Sequence, residues 1–190
     1  MIKELNKNYK LKLIERFNEN NELLKIIDDL VIIDVKYFNF YNEIKNGLIM
    51  CNKYIAEDLN YIFTKLYENK YQIEKILLID EYEFDDIKSM TDNNSSCFNF
   101  RKILNKNEYS KHAYGLAIDI NPLYNPYVLK TGEKIILPVN GSKYANRDLE
   151  FEHKIDHNDL CYKLFKERGF NWGGDWEYPD YQHFEKIDFL

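Results

Sequence analysis

Ile55, Leu59, Ile62, Phe63 and Leu66 recur at the i, i+4, i+7, i+8 spacing of one helical face. That spacing predicts an amphipathic helix over about 52–68, with one face against a core. Other segments read differently. Ile76-Leu77-Leu78-Ile79 is an apolar run of strand length, as is Leu116 to Ile120. Lys134 to Leu137 is another, closed by Pro138. Leu160, Leu164 and Phe165 share a helical face over about 157–168, and Gly169 suits a C-terminal cap. Gln182 to Glu185 reads as a last strand. No βαβ rhythm orders these pieces, so the expected class is α+β, with an antiparallel β-sheet and flanking helices.

The first third reads helical. Leu13, Ile14 and Phe17 form one apolar cluster, and Leu23, Leu24, Ile27 and Leu30 another, with a break at Asn18 to Asn21. Asp29 to Val35 suits a short strand. Residues 91–96, Thr-Asp-Asn-Asn-Ser-Ser, read as a polar loop.

Composition excludes several classes. Hydrophobic residues at 45% and charged residues at 31% give an ordinary globular balance across 190 residues. The net charge of -6, with no Lys/Arg block, argues against a nucleic-acid partner. Cys51, Cys97 and Cys161 are sparse, odd in number and free of a Cys-x-x-Cys pair, so buried small hydrophobes are expected. No stretch reaches the roughly 20 apolar residues of a membrane span. Met1-Ile2-Lys3-Glu4-Leu5 lacks a signal-peptide apolar region, which leaves three readings: a cytoplasmic location, release by another route, or a signal already removed. Oligomeric state is not legible.

Chemistry concentrates in two segments. The first is Ser110-Lys111-His112-Ala113-Tyr114-Gly115-Leu116-Ala117-Ile118-Asp119. Imidazole and carboxylate are both good zinc donors. Asp119 lies seven positions after His112, and an odd separation in an unbroken strand puts side chains on opposite faces. A turn at Gly115 folds His112 back towards Asp119. The same residues alone equally suit a loop histidine and an aspartate at a strand end. The second segment runs from Trp172-Gly173-Gly174-Asp175-Trp176 to Asp180-Tyr181-Gln182-His183-Phe184-Glu185. His183 suits a third ligand, leaving a fourth position open as catalytic zinc requires. Asp180 lies three residues earlier, placed to move protons beside the metal. Alone, this piece also suits a turn aspartate and a strand histidine. His153 and His157 form an i, i+4 pair, but their charged surroundings and the missing Glu of a His-Glu-x-x-His motif favour a solvated face.

Together the segments resemble the Ser-x-His-x-x-Gly-x-Ala-x-Asp and acid-x-x-His signatures of zinc D-alanyl-D-alanine carboxypeptidases, a group that includes phage L-alanyl-D-glutamate endopeptidases. Asn93 to Arg101 resembles the family's upstream segment ending in an active-site arginine. The resemblance spans roughly 37–186, which divides the chain into a helical extension, 1–36, and a peptidase domain, 37–190. It implies a Hedgehog/DD-peptidase-like fold and one catalytic zinc on His112, Asp119 and His183. It implies Asp180 as acid/base and Arg101 as the group that polarises the scissile carbonyl or holds a substrate carboxylate. Ser110 is a candidate substrate hydrogen bond, and Trp176 a candidate pocket wall. The implied partner is peptidoglycan or a muropeptide, at the bacterial wall or on its precursors. The expected activity is D-alanyl-D-alanine carboxypeptidase. The alternatives are L-alanyl-D-glutamate endopeptidase of the endolysin kind, and a non-catalytic zinc module of the same fold.

Overall fold

Every α-helix among the described residues begins at an Asn or Asp whose side chain accepts a backbone N–H of the first turn. That satisfies a donor the helix itself leaves orphaned. Asn6 caps α1 (Lys7–Arg16), Asn20 caps α2 (Asn21–Ile26) and Asn52 caps α3 (Lys53–Glu68). Asp85 caps α4 (Asp86–Thr91), and Asp159 caps α5 (Leu160–Glu167). The structure is a computed structural model describing residues 1–104, 106–131 and 133–187.

The strands are β1 (Ile2–Glu4), β2 (Leu30–Phe38), β3 (Ile44–Asn52), β4 (Ala117–Asp119), β5 (Tyr127–Thr131), β6 (Glu133–Leu137), β7 (Asn171–Trp172) and β8 (His183–Glu185). Among the described residues they form three antiparallel sheets, ordered β1-β2-β3, β4-β8-β7 and β5-β6. The α+β class and antiparallel pairing therefore hold, while the expected single sheet is divided. β2 and β3 pair in unbroken register from Leu30↔Asn52 to Phe38↔Ile44. Ser96 exchanges backbone bonds with Asp119, at 2.9 and 3.2 Å, which sets β4 beside the 93–98 segment.

One core joins β2, β3, α3 and α5 to β4 and β8. Ile33, Ile49, Leu59, Ile62, Phe63, Ile118, Phe165 and Phe184 lie within it. Cys51, Cys97 and Cys161 are all buried and free, as expected. A second cluster holds Leu5, Leu13, Leu23, Ile27, Leu30 and Met50 together with Phe98, Phe100 and Ala113. The N-terminal helices thus pack behind the segments that carry Arg101 and His112. The boundary expected at 36/37 falls inside β2. No helix among the described residues is long and apolar enough to cross a membrane.

The helix expected over 52–68 is α3, with Ile55, Leu59, Ile62, Phe63 and Leu66 all buried. Ile76 to Ile79 is not a strand. The Asn94 side chain accepts from Leu77 N–H (2.8 Å) and donates to Leu77 O (3.1 Å), taking the bonds a strand partner would make. A short 3-10 turn, Ile79–Tyr82, follows. The polar loop expected at 91–96 is packed inward: Asn93, Asn94 and Ser95 are buried. Their side chains serve the backbone of Leu77, Leu123 and Asn121, which offsets their desolvation.

Candidate metal centre

His112 lies on a 3-10 turn, Lys111–Tyr114, whose first residues are capped by the Ser110 hydroxyl. Gly115 ends the turn with φ +66°, and a Cβ there would stand 2.6 Å from Asn52 N. Only glycine meets both demands, left-handed backbone and close approach. The turn brings His112 to the face that Asp119 occupies at the end of β4. His183 is the cross-strand partner of Asp119 in β8. Directly opposed residues project to the same side of an antiparallel pair.

The three side chains are buried and converge. His112 Nε2 lies 3.1 Å from His183 Nδ1 and 3.3 Å from Asp119 Oδ2. His183 Nδ1 lies 3.1 Å from Asp119 Oδ1. A tetrahedral zinc with bonds of about 2.0–2.1 Å places its donors about 3.3 Å apart.

The outer ring nitrogens decide what the inner ones can do. His112 Nδ1 lies 2.6 Å from the Cys97 carbonyl, which only accepts. His183 Nε2 lies 3.1 Å from Glu185 Oε2. Both outer nitrogens therefore donate, and the neutral rings aim lone pairs at each other and at the Asp119 carboxylate. Three buried acceptors facing one point require a cation there. Without a metal, a proton is the substitute. Burial alone would lower the His183 pKa, but hydrogen bonds to Asp119 and Glu185 and the nearby carboxylate charge raise it to about 10. Burial opposes ionisation of Asp119 too, yet the His112 charge and the hydrogen bonds hold it far below the carboxylate range.

A sequence-family profile described as D-alanyl-D-alanine carboxypeptidase matches residues 104–186. This likeness to the family covers less than half of the chain. Searches of curated proteins and of solved structures find no match. The matched segment contains all three residues of the candidate metal group and Asp180, and the likeness supports a peptidase. Arg101 lies three residues before it.

Asp180 is held beside the group by Gly173. Its N–H donates to Gly173 O at 2.9 Å, and a Cβ on Gly173 would stand 2.6 Å from Asp180 O and 3.2 Å from His183 Cβ. Burial and the Asp119 charge push the Asp180 pKa up to about 7, against the pull of His183, Gln182 and Arg101. Its Oδ1 is inaccessible to solvent and has no hydrogen-bond partner among the described residues. The Arg101 charge reaches both Asp180 and Tyr127, and Tyr127 pairs with Asp180 across a β-bridge. Arg101 itself is tethered, with Nε 2.9 Å from Asp86 Oδ2. Asn99 Nδ2 donates to the other oxygen of Asp86 at 3.1 Å.

The Ser110 hydroxyl is buried and accepts from His112 N–H at 3.3 Å. Trp176 is 40% exposed, its ring 5.2 Å from that of His183. His153 stacks on Phe40 and His157 bonds Asp175 at 2.8 Å, both outside the metal group. Sequence reasoning passed over Glu185, Asp86, Tyr127 and the Cys97 carbonyl. Only Glu185 carried a signal: His183-x-Glu185 on one strand places both side chains on one face.

Proposed function

We propose that this chain is a zinc peptidase that removes the terminal D-alanine from peptidoglycan stem peptides, at the bacterial wall or on its precursors. The observation that carries the reading is the convergence of His112 Nε2, His183 Nδ1 and the Asp119 carboxylate, with both outer ring nitrogens already engaged. Two imidazoles and one carboxylate suit zinc and leave a coordination position for chemistry. Bound there, zinc supplies Lewis acidity toward the scissile carbonyl and toward water.

The chain's own groups supply the rest. Asp180 takes the proton of the attacking water and returns it to the leaving amine. Its orphaned Oδ1 and its raised pKa suit both halves of that task. Arg101, its Nε tied to Asp86, offers its outer nitrogens to the terminal carboxylate of the substrate. Trp176 walls the pocket beside His183, and Ser110 contacts substrate if its hydroxyl turns from the His112 N–H.

The test is mass spectrometry of muropeptides incubated with the zinc-loaded protein. Loss of one terminal alanine from pentapeptide stems is the expected result. Cleavage between L-alanine and D-glutamate would make it an endopeptidase instead. A zinc-loaded protein inert on every stem peptide would make it a binding module.

A further inference from the structure

The two histidines of the metal group are oriented from behind by different means. His112 leans on the Cys97 main-chain carbonyl, which any residue at that position would supply. His183 leans on a side chain, the Glu185 carboxylate, at 3.1 Å. We infer that Glu185 is a positioning residue for the metal: it holds the proton of His183 on Nε2 and so keeps Nδ1 free to bind. This rests on the zinc reading given above.

The strand geometry makes the contact. His183 and Glu185 are alternate residues of β8 and project from the same face. Glu185 sits across from Ala117 in β4 and Asn171 in β7. Small Ala117 leaves the carboxylate room to lie back along the strand. The Glu185 side chain is only 15% exposed, and its only ion-pair partner among the described residues is His183. Sequestering a carboxylate from water is costly unless it is paired and hydrogen-bonded. Here the pairing falls on a ring nitrogen of a proposed metal ligand. A charged acceptor also draws the N–H proton harder than a carbonyl does, which makes Nδ1 a stronger donor to the metal.

The test compares the parent protein with E185Q and E185A by zinc titration against a chromophoric chelator. Thermal melts of the metal-free proteins run alongside, and ¹⁵N imidazole spectra of the zinc-loaded proteins report the tautomer. Glutamine can still accept the hydrogen bond but carries no charge. The expected result is a roughly 10–100-fold weaker zinc affinity for E185A, the scale for loss of such a partner. E185Q should fall between E185A and parent and keep the Nε2–H signature. The metal-free melts measure what the variants lose by breaking the buried His183–Glu185 pair, which separates loss of stability from loss of zinc affinity. Should E185A fail to fold, the E185Q affinity carries the comparison. If folded variants bind zinc as tightly as the parent with the same tautomer, the inference is wrong while the zinc reading stands. If the parent binds no zinc, both fall.

Discussion

Asp119 and His183 face each other across the β4–β8 pair, and His183 Nδ1 lies 3.1 Å from Asp119 Oδ1. The backbone register itself sets two of the three donors side by side. His112, delivered by a turn from outside the sheet, completes the group. Replacing Asp119 with alanine should therefore abolish zinc binding, leaving two imidazoles with no anionic partner between them. Thermal melts with and without added zinc check this. The parent should gain roughly 3–4 kcal/mol at zinc concentrations 100 to 1,000 times the Kd, and D119A nothing.

Asp180→Ala should keep the metal and lose turnover by roughly a hundred- to ten-thousand-fold, the usual worth of a positioned acid/base. Metal content by atomic emission and initial rates on a stem pentapeptide separate the two effects. A variant that turns over at the parental rate removes Asp180 from the mechanism.

Zinc affinity should rise with pH. In the metal-free protein the hydrogen bonds and charges of Asp119 and Glu185 keep His183 protonated up to about pH 10. The metal needs the neutral ring, so each zinc bound expels one proton. Between about pH 7 and 9 the association constant should climb about tenfold per pH unit. Calorimetry in buffers of different ionisation enthalpy counts the protons. Affinity independent of pH would mean that His183 is already neutral without metal.

The tether on Arg101 predicts a split in the kinetics. If Arg101 holds the terminal carboxylate, a substrate ending in an amide should be cleaved poorly by the parent. R101A should lose that discrimination. R101K should not restore it, because a point charge does not replace a planar fork. D86N, which weakens the tie at 2.9 Å, should raise KM more than it lowers kcat. Steady-state rates on paired acid and amide peptides decide.

The N-terminal cluster predicts stability effects close to the site. Leu13 is fully buried in the cluster that also holds Phe98 and Phe100. L13A should cost about 2–5 kcal/mol, within the range for a buried leucine truncated in place. Denaturant unfolding of the metal-free protein measures it.

Much of the site was legible because its chemistry is local in sequence. His112 to Asp119 and Asp180 to His183 each lie within one short stretch of chain, and Gly115 announced the bend between a histidine and its sheet. The amphipathic rhythm of α3 was equally plain. What escaped depends on contacts between distant segments. The run from Ile76 to Ile79 has the pattern of a strand, yet its backbone is served by Asn94, a tertiary partner that no local rule names. The polarity of Asn93 and Asn94 does not disclose their burial, because the groups they serve lie in other segments. A carbonyl such as that of Cys97 leaves no trace in side-chain identity at all.

Asn52 closes β3, and its side chain caps α3 while donating to Tyr114 O at 3.3 Å. Its N–H donates to Gly115 O at 2.9 Å. One residue thus joins the longest helix to the turn that presents His112. The histidine cannot swing away by local fraying alone, since that would break bonds made by the residue that starts α3. Opening the turn draws on the same free energy as unravelling the core, so the placement of His112 beside Asp119 and His183 is set at folding.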